Sequence, residues 1–207
     1  RVPVTAERSN SAGNGAIMRL APMVIAGFRS RSPREVVATA RLSARETHFS
    51  VEAEAATEVF AALLVGALLG WSPEQIMDVS WASTGAAFDE MASRVISSDP
   101  QVRASWEAET SGYIVNGLRL AVHGLLDFPS FKDATLAIAN MGGDTDTNAA
   151  IYGQLGGAFY GVEAIPASWR STLYQGEEID QLARDLVELR LEPPVTRFDE
   201  DLREASA

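Results

Sequence analysis

The chain has 207 residues, 46% of them hydrophobic, enough for one domain with a substantial buried core. No cysteine is present, which excludes a disulfide framework, a thiolate metal centre and a cysteine nucleophile, and a reducing, cytoplasmic location is expected. A formal net charge of -11 argues against nucleic-acid or anionic-membrane partners, since either surface needs a basic patch.

Arg1 to Gly15 is polar, and its opening without an initiator methionine reads as the remainder of something longer or a cleavage product. The run Ser9 to Gly15 is a cluster of turn-formers. No alternating strand pattern flanks Asn14-Gly15, so a hairpin is not expected; Ala16 to Phe28 follows with apolar residues at helical spacing. A small-residue loop feeding a helix either presents backbone N–H groups to a phosphate or is an ordinary linker plus cap.

Ser32-Pro33-Arg34-Glu35 starts a helix with Ser at the N-cap and Pro at N1. Arg45 to His48 interrupts the pattern before a helix from Val51 to Gly70; the longest uncharged apolar run, Val59 to Gln75, reads as a buried helix, its apolar core from Val59 to Trp71 being too short to span a bilayer. His48 lies at a helix junction, where a cap or surface role is the ordinary one, and His123 lies within an amphipathic segment and reads as structural. Further helices are expected from Ser72 toward Ser83, over Gly112 to Leu126, from Ser130 through Asn140, near Trp169 and over Glu177 to Leu191. Ser97 to Gln101 reads as a loop, and Trp106 to Thr110 has no assignment. With no convincing strand, the expected fold class is all-α, a compact orthogonal or bundle-like array of antiparallel neighbours.

The densest chemistry is Met141 to Asn148, where Asp144 and Asp146 stand two apart among Thr145, Thr147 and Asn148. Up to five oxygen donors at a helix start suit a hard cation such as Mg²⁺, Mn²⁺ or Ca²⁺ and suit zinc poorly. Plain N-capping is the competing reading, because Asp and Thr are common caps. An EF-hand is rejected, since the turn glycine is Ala149 and the bidentate glutamate is Leu155. Gly153, Gly156, Gly157 and Gly161 fall on one face of the following helix at roughly 1 kcal/mol each against Ala. They predict a central buried helix closely approached by another.

Three stretches together resemble the ADP-ribosylglycohydrolase family, from the dinitrogenase reductase-activating glycohydrolases to the J1 crystallins. They are Ser11 to Arg19 with Ala21-Pro22; Ser43 to His48; and Gly142 to Thr147 with Gly153-Gln154-Leu155-Gly156-Gly157 and Ile165-Pro166 before Trp169. The resemblance implies an all-helical domain using two divalent cations, Mg²⁺ or Mn²⁺, to hydrolyse the bond between ADP-ribose and its acceptor, a modified protein side chain or a related conjugate. It implies Asp144, Asp146 and Thr147 as metal ligands, Ser11, Gly13, Asn14 and Gly15 as holders of the diphosphate and ribose, and His48 as a nucleotide contact. It assigns no catalytic residue. Residues 1–194 would be the C-terminal portion of a single such domain and 195–207 a tail. The family's G-D-A-x-G opening and T-D-D-T motif do not occur in the chain, so the chain alone is expected to hold two cations badly and to be inactive. An ADP-ribose-binding remnant and a crystallin-like structural protein are the alternatives.

Overall fold

The computed structural model describes residues 12–189. The helices that open on a serine follow the capping signals of the sequence. After α1 (Ala21–Phe28), α2 (Pro33–Arg45) opens with a full capping box: Ser32 Oγ accepts from Glu35 N while Glu35 Oε2 accepts from Ser32 N at 2.7 Å. Ser50 caps α3 (Val51–Leu68) and Ser130 caps α8 (Phe131–Ala139) by the side-chain half of this arrangement alone, each Oγ accepting from the N–H three residues on and stabilising by about 1 kcal/mol. Between them lie α4 (Pro73–Met77), α5 (Ala86–Val95), α6 (Pro100–Ser105) and α7 (Ile114–Asp127). The order closes with α9 (Thr145–Tyr160), α10 (Ala167–Thr172) and α11 (Gly176–Glu188). The described residues hold no strand, only an isolated antiparallel bridge of Gly13 with Tyr113, and the fold is all-α.

The departures from the sequence reading have local causes. The helix expected over Ala16 to Phe28 is instead a 3-10 turn, Asn14–Ala16, followed by α1. Pro22 has no N–H to continue a ladder, and the Ala21 N–H is taken by Gln154 Oε1 of α9 at 2.7 Å. The helix expected from Ser72 to Ser83 stops at Met77, because Asp78 Oδ1 accepts from both N and Oγ of Ser80 and stabilises a turn. In the unassigned segment after Ser83, α5 starts behind Gly85 at φ 136° with no side-chain cap, and so lacks a start signal. Trp106–Ala108 is a 3-10 turn.

The centre of the molecule is α3 rather than α9. Residues Ala53 through Ala67 of α3 are buried without interruption, Glu54, Thr57 and Glu58 among them, and α2, α5, α7 and α9 pack around it. On α9 the buried residues, Asn148, Ile151, Tyr152, Leu155 and Gly156, form one face. The four glycines also divide. A side chain at Gly156 would meet the Tyr152 ring of α9 itself at 2.8 Å and the Phe131 ring of α8, the neighbouring helix, at 3.1 Å, and Gly161 is the C-cap at φ 79°. Gly153 and Gly157 have nothing within 4 Å; they face an apolar cleft of about 310 Å³ walled by Val24, Leu64 and Leu68. The close approaches to α9 come mainly from the other side, where Gly117 and Gly124 of α7 leave room for Ile151 and Tyr152.

Glu58, within α3, is 6% exposed; its Oε2 accepts from Thr84 Oγ1 at 2.9 Å and its Oε1 has no partner among the described residues. Burial raises its carboxyl above the ordinary glutamate range, against the lowering effects of Thr84, Arg41 and Arg45 and with a further rise from Glu54. A raised folded-state value means that the stabilisation from proton binding is complete below the unfolded value and is lost as pH rises through the folded one. Glu58→Gln is therefore expected to raise unfolding free energy by about 1 kcal/mol at pH 7.5. The gain should shrink toward zero as denaturation is measured at pH values below about 4.

Candidate functional site

Three segments distant in sequence meet at the start of α9. Gly142 and Gly143, at φ 83° and 72°, turn the chain sharply into Asp144, and a side chain at Gly143 would strike the Thr110 carbonyl oxygen at 2.6 Å. That proximity lets Asp144 N donate to Thr110 O at 2.8 Å, and Asn148 Nδ2 donates to the same oxygen at 3.2 Å. Asp144 holds the N-cap position of α9 yet its side chain makes no capping bond. Instead Oδ2 accepts from Asn14 Nδ2 at 2.7 Å, so the plain capping reading does not describe Asp144. Asp146 lies in the first helical turn and is exposed, while Thr147 is half-buried.

The Asn14 loop is fastened on the other side. Asn14 N donates to Gly112 O at 2.9 Å and Ile114 N to Ala12 O at 2.9 Å, flanking the Gly13–Tyr113 bridge. Tyr113 is itself anchored, its hydroxyl donating to Glu52 Oε1 at 2.5 Å and accepting from Arg94 Nη2 at 2.6 Å. Arg94 Nη1 closes the triangle on Glu52 at 2.7 Å. Burial and the Glu52 carboxylate push the Tyr113 hydroxyl above the usual tyrosine range against the lowering pull of Arg94, so it stays protonated and keeps donating.

His48 covers the same loop. A Cβ at Gly13 would lie 2.8 Å from its Nε2 and one at Gly15 would lie 2.9 Å from its Cε1, so the half-buried imidazole rests directly on the two glycines. Its Nδ1 is 3.0 Å from Thr47 Oγ1. Arg19, at the exit of the loop, reaches back to this junction, donating to Ser43 O at 2.9 Å and pairing with Glu46 at 3.2 Å. Gln154 completes the frame by donating to Ile17 O at 3.0 Å.

Gly13, Asn14, Gly15, His48, Asp144, Asp146 and Thr147 thus lie on the elements joined here, and Ser11 lies outside the described residues. Asn14 differs from its expected setting: it is 6% exposed, with backbone N–H and side-chain amide both bonded within the protein. Sequence reasoning passed over Thr110, Gly112 and Gly117. A backbone carbonyl has no signature in residue type, although Gly117 and Gly124 recur seven apart on α7 and mark the face that α9 approaches.

The donors Asp144, Asp146 and Thr147 are all oxygens, which fits a hard cation in kind. They fall short of a full coordination set, and among the described residues no group of three or more His, Cys, Asp or Glu is placed to hold a metal. No helix of the described residues is long and apolar enough to cross a membrane.

Fold and site together define an all-helical domain in which a small-residue loop is bonded to an oxygen-donor helix start. The profile of the ADP-ribosylglycohydrolase family matches residues 2–194, and the chain belongs to that family. It is 31% identical over 176 residues to the ADP-ribosylarginine hydrolase Tri1 of Serratia proteamaculans, covering 85% of this chain and 46% of that protein. It is 30% identical over 163 residues to the ADP-ribosyl-[dinitrogen reductase] glycohydrolase of Rhodospirillum rubrum, covering 78% of this chain and 51% of the relative. A solved structure titled ADP-ribosylglycohydrolase-related protein complex superposes with a TM-score of 0.74 at 36% identity, over 87% of this chain and 61% of that one. The chain spans about half the length of these two curated relatives.

Proposed function

We propose that the complete protein is a metal-dependent hydrolase that removes ADP-ribose from a modified protein side chain or a related conjugate. The observation that carries this reading is the Asn14–Asp144 hydrogen bond, which joins the two family motifs across 130 positions of sequence into one site. Asp144, Asp146 and Thr147 hold one side of a pair of divalent cations, Mg²⁺ or Mn²⁺. Bound there, such cations supply Lewis acidity to a ribose hydroxyl and to water. Ser11, Gly13 and Gly15 hold the diphosphate, the two glycines through a side-chain-poor backbone, and His48, resting on both glycines, orients the nucleotide. The protein works in the cytoplasm on ADP-ribosylated protein, without nucleic acid or membrane.

The short ligand set supports a second reading, in which this chain alone binds ADP-ribose without turning it over. One experiment separates the two: release of ADP-ribose from an ADP-ribosylated protein, measured with the 207-residue chain and with the intact protein, with and without Mg²⁺ or Mn²⁺. Metal-dependent release by the intact protein is the expected result. ADP-ribose binding with no release from either would establish the binding reading, and neither binding nor release would leave a structural role.

A further inference from the structure

Asp144 departs from the ordinary behaviour of its position. An N-cap aspartate normally turns its carboxylate back onto the N–H groups of its own helix. Here the side chain makes no such bond, and Oδ2 is held by Asn14 Nδ2 at 2.7 Å, with Asn148 Oδ1 near the same nitrogen at 3.4 Å. The Asn14 amide has little freedom to turn elsewhere. It is 6% exposed, its own backbone is tied to Gly112 O, and Asn148 is 1% exposed and tied to Thr110 O. Glycines clear the space for this arrangement: a Cβ at Gly112 would come within 3.2 Å of Asp144 Oδ2, and one at Gly117 within 3.3 Å of Asn148 Oδ1 and 3.6 Å of Asn14 Cβ.

We infer that Asn14 is a positioning residue that holds Asp144 ready for a divalent cation and couples cation binding to occupancy of the loop. The inference rests on the function proposed above, in which Asp144 is a cation ligand and Gly13 and Gly15 face the nucleotide. With Oδ2 fixed on Asn14, the carboxylate is held in one orientation and its other oxygen turns away from the amide. A hydrogen bond of this kind to a ligating carboxylate changes metal affinity by about 10- to 100-fold in other sites. Because Asn14 begins the 3-10 turn of the loop, a nucleotide bound on Gly13 and Gly15 bears on the residue that holds Asp144, and the coupling must be reciprocal.

The test is titration of the intact protein with Mn²⁺, followed by the loss of the free-ion paramagnetic signal, in the presence and absence of ADP-ribose. The wild-type protein is expected to bind Mn²⁺ more tightly with ADP-ribose and ADP-ribose more tightly with Mn²⁺, by the same factor. Asn14→Ala is expected to weaken Mn²⁺ binding by about 10- to 100-fold and to bring that factor to one. Loss of folded protein alone cannot bring the factor to one, because a ligand that restores the folded fraction raises the apparent affinity for the other and moves the factor the opposite way. Asn14→Ser, which shortens the side chain but keeps it polar, is read the same way if the alanine variant does not fold. Variants that bind Mn²⁺ with wild-type affinity and wild-type coupling would overturn the inference while leaving the cation assignment standing. A wild-type protein that binds no Mn²⁺ would overturn both.

Discussion

Asp146→Ala in the intact protein is expected to abolish ADP-ribose release and the stabilisation by Mg²⁺ or Mn²⁺. A ligand that binds only the folded state stabilises it by RT ln(1 + [L]/Kd), about 2.7 kcal/mol at a hundredfold excess over Kd, so the variant should lose a shift of that size. Asp146 is the cleaner of the two carboxylates to remove. It is exposed in the first turn of α9, where an acidic side chain contributes only about 0.3–1 kcal/mol through the helix dipole. Its metal-free stability should therefore stay within about 1 kcal/mol of wild type. Asp144→Ala would abolish release as well, but it also strips the acceptor from a largely buried amide and should cost about 1–3 kcal/mol without any metal. The contrast separates ligand loss from structural loss: thermal unfolding gives the metal-free term and metal titration the rest. Full turnover by Asp146→Ala would remove Asp146 from the ligand set.

The difference between the two aspartates also marks where the sequence stops being legible. The motif Gly142 to Thr147 shows its composition, and the positive φ of both glycines is a conformation that only this residue type adopts at no steric cost. Nothing in the residue types shows that Asn14 holds Asp144, because a contact between positions 130 apart has no local signature. The same division runs through the fold. Helices with a capping serine were legible at their starts, since the hydrogen bonds at Ser32, Ser50 and Ser130 are decided within three residues. The start of α1 was not, because Gln154 of α9 sets it from outside. The glycines of α9 look alike in sequence and separate only when their neighbours are known: Gly156 against Tyr152, Gly153 and Gly157 against an open cleft.

Asp127→Ala is expected to cost about 3–5 kcal/mol, a large share of the roughly 5–15 kcal/mol available to a domain. Arg103, 6% exposed, makes two parallel bonds of 2.6 Å to Asp127 and a third of 2.7 Å to Ser97 O. His123, 4% exposed, sits between Asp127 at 2.8 Å and Glu107 at 2.9 Å, which gives it the structural role expected from its amphipathic setting. Removing the carboxylate leaves a buried guanidinium without its hydrogen-bonded counter-charge, with only the weaker field of Asp99 remaining, and that deficit exceeds the net worth of the pair. The Arg103 guanidinium beside it, with a smaller contribution from His123, holds the Asp127 carboxyl below the usual aspartate range. A lowered folded-state value puts the stabilisation above the unfolded value of about 3.9 and removes it as pH falls through the folded one. Denaturant unfolding of wild type and Asp127→Asn should therefore differ most at neutral pH and converge in strong acid. Replacing both partners with apolar residues, Arg103→Met with Asp127→Leu, should recover much of the loss because neither charge then remains buried. The network joins α6 to the C-terminal end of α7, and no residue of it bonds to the loop or the helix start of the site. Mn²⁺ affinity should therefore be unchanged in whatever fraction of the variant is folded, and a variant that folds fully yet loses the cation would show that α7 transmits strain to Asn148 and Asp144.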